Sequence, residues 1–245
     1  MTSGAPRPTI LLIGANGQLG WELARTLAPL GRVVAPTRAQ LDLADGTRVR
    51  AAVRDVRPQI VVNAAAYTAV DQAEREAAMA HAVNGVAPGI LAEEAARLRA
   101  LIVHYSTDYV FDGTTRTPYT ERDEPNPLNV YGETKLAGER AIAATGAAHL
   151  IFRTAWVYGL RRQNFLRSIL GLAHERTELR VVEDQVGAPT WSRMIAEGTA
   201  LALAHVVPRG GAEADAPWSG LYHLTAAGQA SRFELAKAIL ERDPR

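Results

Sequence analysis

Thr9-Ile10-Leu11-Leu12-Ile13 runs directly into Gly14-Ala15-Asn16-Gly17-Gln18-Leu19-Gly20, and this junction restricts the possible folds more than any other stretch. Five consecutive apolar residues fit a strand buried on both faces, the pattern of a parallel sheet covered by helices. Trp21 to Ala28 then reads as a helix, with Gly31 near its end. A strand, a glycine turn and a helix in this order let the backbone approach a pyrophosphate. The helix N-terminus adds free N–H groups and the positive end of its dipole. The spacing is GxxGxxG rather than GxGxxG, and a tight structural turn is the alternative assignment.

The same alternation continues. Arg32 to Arg38 is a plausible second strand, but the acid that usually meets a ribose about 20 residues beyond such glycines is missing. Thr37 and Arg38 stand there instead. Leu41-Asp42-Leu43 reads as a short strand whose end faces an adenine, with Asp42 alternatively a helix cap before Gly46. Pro58 to Ala66 is a further buried strand, and its small terminal residues Ala64, Ala65 and Ala66 leave room for a cofactor. The spacing predicts a long helix from Ala78 to Arg99, kinked near Asn84 by Gly85 and Pro88. Leu101 to Ser106 is the next strand, with Thr107 and Asp108 at its end. Strands are also predicted at Leu150–Thr154, Leu179–Val182 and Gly220–Leu224, and helices at Gln163–Arg176 and Met194–His205. A flexible loop is expected over 208–217, and Ser231 should cap a last helix through Ile239. Strands and helices alternating at this spacing indicate parallel βαβ units.

Tyr131-Gly132-Glu133-Thr134-Lys135 supplies the chemistry. A phenol and an ammonium four positions apart share one face of a helix. A free tyrosine titrates near ~10, too high for acid–base work at neutral pH, and a nearby cation favours the phenolate. The pair is therefore suited to passing a proton to or from a substrate oxygen. Alone, it also fits an exposed helix face. Composition narrows the classes further. A net charge of +1 gives no electrostatic ground for nucleic acid or an anionic membrane. Zero cysteines exclude disulfides, a thiol nucleophile and Cys-ligated metal, and fit a cytoplasmic protein. Neither a signal-peptide pattern nor a membrane-length apolar run is found.

Seven pieces in order resemble the extended short-chain dehydrogenase/reductases, and among them the dTDP-4-dehydrorhamnose reductase family. They are Gly14–Gly20, Val62–Ala66, Ser106-Thr-Asp-Tyr-Val-Phe-Asp-Gly113, Pro127–Glu139, Phe152–Tyr158, Asp184–Thr190 and Gly220–Leu224, within a resemblance running from about residue 9 to 241. It implies an α/β fold: a Rossmann-like doubly wound parallel sheet with a small C-terminal substrate-binding lobe. The first domain would span 9–154 and also receive 181–217; the lobe would comprise 155–180 and 218–245. The implied reaction is NADPH-dependent (NADH possible) reduction of the 4-keto group of a dTDP-4-dehydro-6-deoxysugar. Tyr131 would donate the proton, and Lys135 would hold the nicotinamide ribose and lower the phenol pKa. Thr107 would bond the carbonyl oxygen, and Thr107, Asp108 and Trp156 would line the sugar site. Gly14, Asn16, Gly17, Gln18, Leu19, Gly20, Arg38, Asp42, Leu43 and Ala64 to Ala66 would join Tyr131 and Lys135 around the cofactor. Asn84 would order a water near Lys135.

The family usually continues for several tens of residues beyond the last helix, whereas this sequence stops at Arg245, so an open lobe with exposed apolar surface is expected over 152–180 and 218–241. Some members pair through acidic clusters around a divalent metal. Glu22 matches one such acid, but Arg193 stands where a second is expected, so the expectation is a monomer or weak homodimer without a metal bridge. Two alternatives stay open: a 4-ketoreductase for another nucleotide-deoxysugar, and a non-catalytic regulatory subunit on the same fold.

Overall fold

The computed structural model describes residues 7–207 and 216–243. The predicted loop over 208–217 falls almost wholly outside them. In chain order the elements begin with β1 (Thr9–Ile13), α1 (Gln18–Leu27), β2 (Arg32–Val34), α2 (Gly46–Val56) and β3 (Ile60–Asn63). Short helices α3 (Val70–Ala73) and α4 (Ala77–His81) lead through a π-helical turn (Ala82–Val86) into α5 (Ala87–Leu98). Then come β4 (Leu101–Thr107), a 3-10 turn (Asp108–Val110), α6 (Val130–Ala143), β5 (His149–Thr154), β6 (Val157–Tyr158) and α7 (Phe165–Glu175). The chain continues with β7 (Val186–Gly187), β8 (Thr190–Trp191), α8 (Ser192–Val206), β9 (Gly220–His223), β10 (Ala230–Ser231) and α9 (Arg232–Leu240).

Six strands form one parallel sheet in the order β2-β1-β3-β4-β5-β9. Because β1 lies between β2 and β3, the chain leaves β1 towards opposite edges, and a crevice opens at the carboxyl ends of β1 and β3. Alternate side chains of β1 serve the two faces. Ile10 and Leu12 pack with Leu19, Leu23 and Leu27 of α1 and with Ile195 and Leu203 of α8. Leu11 and Ile13 pack with Val49 and Val53 of α2, Leu91 of α5 and Ile142 of α6. This double covering explains the unbroken apolar runs in β1, β3 and β4. Among the described residues, no helix is long and apolar enough to cross a membrane.

Three local expectations change. Leu41-Asp42-Leu43 forms no strand: Leu41 and Leu43 are buried, but Asp42 Oδ1 accepts the Ala44 N–H at 3.0 Å and bends the chain. The cap of α2 is Asp45, which accepts from Arg48 N, rather than Asp42. Leu179–Val182 is also irregular, because Leu179 and Val181 dock on the α7–α9 cluster of Ile169, Ala236 and Ile239, where no strand lies alongside. Gly220–His223, expected in the substrate lobe, is instead the edge strand of the main sheet beside β5. The kink at Asn84 is present as the π-helical turn. Pro88 has no N–H to offer the Asn84 carbonyl, and that carbonyl faces Gly138 of α6.

Candidate active site

The glycine turn sits in the crevice between β1 and β3. Gly14 adopts φ +85°, and a Cβ there would lie 2.6 Å from Ala65 N, so a side chain is excluded by both conformation and space. Gly20 is constrained by space alone, since its Cβ would meet Gly14 O at 2.0 Å. Four other helices, α2, α6, α7 and α9, begin with a side-chain cap from Asp45, Asn129, Asn164 and Ser231. At α1, as at α3, α4, α5 and α8, there is no side-chain cap; its cap is Gly17, with no acid in the first turn. Its first N–H groups stay available at a positive dipole end, which fits the pyrophosphate of a dinucleotide. Ala64, Ala65 and Ala66 line the β3 side, half-buried as expected. Leu19 and Leu43 are buried, and Leu19 belongs to the α1 core.

Two residues of the turn have further partners. Gln18 Nε2 donates to Val157 O at 3.2 Å, and Gln18 Oε1 accepts from Asn164 Nδ2 at 3.2 Å. Arg162, with φ +59°, donates through Nε to Asn16 O at 2.9 Å. The segment from β6 to α7 thus clasps the glycine turn. Arg38 is exposed beyond β2, beside Thr37, whose N–H donates to Gln40 Oε1 at 2.8 Å.

Helix α6 carries both Tyr131 and Lys135. Its start is fixed by Asn129 Oδ1, which accepts Gly132 N–H at 2.8 Å, and by Glu74, which accepts Val130 N–H at 2.9 Å. Further along, Arg153 of β5 grips Glu139 in a buried bidentate pair at 3.0 and 2.7 Å. Thr107 ends β4, where its hydroxyl donates to Asp108 Oδ1 at 3.1 Å and accepts Tyr109 N–H at 3.2 Å. The Tyr131 ring stands edge-on to Tyr109, with centroids 5.5 Å apart. Burial pushes the Tyr131 phenol upward; a hydrogen bond with Thr107 opposes this, and Asp108 and Tyr109 reinforce it. The expected lowering by Lys135 is therefore reversed in this structure. Lys135 is fully buried and turns its Nζ to Tyr105 O and His104 Nε2. Burial lowers Lys135 to about 8, with Glu139 opposing. A raised phenol stays protonated at neutral pH, the state an acid must occupy before it gives up its proton. The Asn84 side chain is held at the π-helical turn: its Oδ1 accepts Tyr67 N–H at 2.8 Å, and its Nδ2 donates to Tyr67 O at 3.0 Å and Thr134 Oγ1 at 3.2 Å.

Beyond β5 an expected residue, Trp156, meets one that the sequence did not single out, Arg232. Trp156 takes φ +44°, and its ring presses on Gly187, where a Cβ would lie 2.4 Å from it. The Arg232 guanidinium stacks on Trp156 at 3.6 Å and on Phe165 at 4.9 Å. Burial lowers Arg232, with Tyr109 and Asp108 pulling the other way. Burial likewise raises the Asp108 carboxyl, against a hydrogen bond from Thr107 and the charge of Arg232. Arg232 is the first residue of α9, where the helix dipole disfavours a cation, and that mismatch was the available signal. His104 had one too: a titratable ring interrupts the buried run Leu101-Ile102-Val103-His104-Tyr105. Glu22 pairs with Arg193 at 3.2 Å.

A model of the family described as RmlD substrate binding domain matches residues 8–244. A dTDP-4-dehydrorhamnose reductase from Burkholderia thailandensis is 54% identical over 94% of this chain and 77% of its own length. One from Escherichia coli K12 is 45% identical over 95% of this chain and 77% of its own length. The crystal structure of a dTDP-4-dehydrorhamnose reductase from Bacillus anthracis, in complex with NADP, superposes with a TM-score of 0.88 at 34% identity. It covers 98% of this chain and 82% of that one. By sequence, fold and the arrangement at the ends of β1, β3 and β4, this chain belongs to the dTDP-4-dehydrorhamnose reductase family.

Proposed function

We propose that this protein reduces the 4-keto group of a dTDP-4-dehydro-6-deoxysugar, converting dTDP-4-dehydrorhamnose to dTDP-L-rhamnose with NADPH. The observation that carries this reading is the meeting of Thr107 and Tyr131 beside a glycine turn whose helix lacks a side-chain cap. NADPH, when bound, supplies a hydride; the glycine turn, α1 and Ala64 to Ala66 would hold it, with Arg38 beside its ribose. Thr107, its hydroxyl turned from Asp108, donates a hydrogen bond to the carbonyl oxygen, and Tyr131 gives that oxygen a proton. Lys135 governs the polarity beneath them. Trp156, Asp108 and Arg232 shape the sugar side, Arg232 with the only charge of the three that matches an anionic diphosphate. The lobe in this proposal is built from α7, α9 and the β7–β10 ribbon. A cytoplasmic enzyme fits the zero-cysteine composition, and the Arg193–Glu22 pair supports a monomer or weak dimer without a metal bridge. The near-neutral charge supports a small-molecule partner rather than nucleic acid.

The test is turnover of dTDP-4-dehydrorhamnose by wild type and Tyr131→Phe. The variant should lose about 10²–10⁴-fold, the usual worth of general acid catalysis, while retaining NADPH binding. Near-normal turnover in a folded Tyr131→Phe protein would defeat the assignment.

A further inference from the structure

Tyr131 is the second residue of α6, in the turn whose backbone N–H groups find no acceptor within the helix. The chain around it is nevertheless held at four points. Asn129 Oδ1 accepts Gly132 N–H at 2.8 Å, and Thr134 Oγ1 donates to Tyr131 O at 2.9 Å. Gly132 lies so close to Tyr109 O that a Cβ would collide with it. The fourth point is Glu74, whose Oε1 accepts Val130 N–H at 2.9 Å. Asn129 and Thr134 belong to the same stretch of chain and move with it. Glu74 lies 56 residues before Val130, just past the end of α3.

Val130 is the first residue of α6, and the Asn129 cap serves Gly132 rather than Val130. The Val130 N–H therefore takes its acceptor from another element, and a carboxylate also suits the positive end of the helix dipole. The segment that carries Glu74 is braced. Gln72 Nε2 donates to Glu76 Oε1 at 2.6 Å, and Tyr67 OH donates to Glu76 Oε2 at 2.7 Å. Both oxygens of Glu76 are thus occupied within the segment, and Glu74 reaches out of it to α6. The segment follows Ala64 to Ala66 at the end of β3, beside the glycine turn. Asn84 ties it to α6 a second time, by bonding the Tyr67 backbone and donating to Thr134 Oγ1 at 3.2 Å. We propose that Glu74 is a positioning residue for Tyr131: its carboxylate fixes where α6 begins, and so where the phenol stands relative to Thr107 and the crevice.

Lys135 stands one turn further on, where its Nζ is anchored to Tyr105 O in β4. Freeing the Val130 N–H therefore loosens the phenol and leaves the lysine in place. In the proposed reduction this separates proton transfer to the carbonyl oxygen from the binding of cofactor and sugar. A misplacement of 1 Å costs about 10²-fold in rate. Glu74 is exposed and Gly132 stays packed on Tyr109, so a smaller shift and a loss of about tenfold are expected.

The effect on turnover rests on the reductase reading; the hold on α6 does not. The experiment compares wild type, Glu74→Ala, Glu74→Gln and, as a control, Asp45→Ala, which removes the side-chain cap of α2. Amide hydrogen exchange of Val130 by NMR reports the hold, and steady-state turnover and NADPH titration report its consequence. Glu74→Ala should speed Val130 exchange and lower kcat about tenfold, with KM for the nucleotide-sugar and NADPH affinity unchanged. Glu74→Gln keeps an acceptor oxygen in the same place and should recover most of both. Asp45→Ala should lower the melting temperature by at least as much as Glu74→Ala and leave kcat as in wild type. Unchanged Val130 exchange in Glu74→Ala overturns the proposal. So does a normal kcat, a loss that Glu74→Gln does not recover, or an equal loss in Asp45→Ala. Should Glu74→Ala fail to fold, Glu74→Asp, whose shorter side chain withdraws the carboxylate, takes its place. Wild type that binds NADPH without turning over dTDP-4-dehydrorhamnose would refute the reductase reading, and the exchange of Val130 would still decide whether Glu74 holds α6.

Discussion

Gly138→Ala isolates what holds Tyr131 and Lys135 in place. Gly138 lies one turn beyond Lys135 on α6 and faces the π-helical turn. A Cβ added there would stand 2.2 Å from Asn84 O and 3.3 Å from Pro88 Cγ. Ordinary contact begins at 3.4 Å, so α6 must retreat by about 1.2 Å. The obstacle is backbone and cannot rotate away. Helix propensity pulls the other way, since alanine is favoured over glycine by about 1 kcal/mol within a helix. Overpacking costs about 1–3 kcal/mol, so packing outweighs propensity and the melting temperature should fall by several degrees. The functional effect should be larger than the thermal one. A displacement near 1 Å of catalytic groups costs about 10²-fold in rate, and α6 carries both Tyr131 and Lys135. Gly171 on α7 is the control, because nothing lies within 4 Å of its added Cβ. Gly171→Ala should stabilise by about 1 kcal/mol. Turnover and thermal denaturation of the two variants give the comparison. A Gly138→Ala protein that melts higher and turns over normally would refute close approach as the reason for glycine at that position.

Three other perturbations have signed outcomes. Arg38→Ala should abolish a preference for NADPH over NADH of roughly tenfold, about 1.4 kcal/mol, in cofactor titrations; equal weakening of both would remove Arg38 from the 2′-phosphate. Glu94, buried and gripped by Arg54, Arg50 and Arg97, is held at about 2, below its ordinary 4.5, first by the Arg54 hydrogen bond and against burial. Its stabilisation is complete above about 4.5 and is lost as pH falls through about 2, so a Glu94→Gln deficit of about 1–3 kcal/mol in urea at pH 7 should shrink in acid. Arg232→Met keeps the contact with Trp156 but removes the charge. It should raise KM for the nucleotide-sugar about tenfold or more, the worth of a charge-assisted bond, with NADPH affinity unchanged; an unaltered KM would leave Arg232 a packing residue.

The parts of the fold legible in the sequence are those written in local pattern. The run Thr9–Ile13 and the glycines after it are such a pattern, because a doubly covered strand and a turn without side-chain space leave few other residue types possible. The alternation in Leu179-Arg180-Val181-Val182 misleads because alternation reports only that one side is covered, and here helices rather than a strand cover it. Gly220–His223 is readable as a strand, but its place beside β5 is not, since that pairing joins segments about 70 residues apart in the chain. Tyr131 and Lys135 are readable by chemistry and spacing, and Thr107 only through the family resemblance of Ser106–Gly113. The direction in which the phenol shifts is not, because burial outweighs the neighbouring groups and depends on the whole packing around the ring.

Two groups of contacts that escaped sequence reading share one trait: they join the glycine-turn sheet to the C-terminal helices α7 and α9. Gln18 and Asn16 belong to the cofactor turn, yet their partners Val157, Asn164 and Arg162 lie on the segment that leads into α7. Arg232 belongs to α9, yet its charge interacts with Asp108 and Tyr109 at the end of β4. Helices α7 and α9 pack together through Ile169, Ala236 and Ile239. Both bridges therefore rest on one packed pair of helices, α7 and α9, which meets the glycine turn on one side and the end of β4 on the other, through residues whose spacing along the chain gives no sign of it.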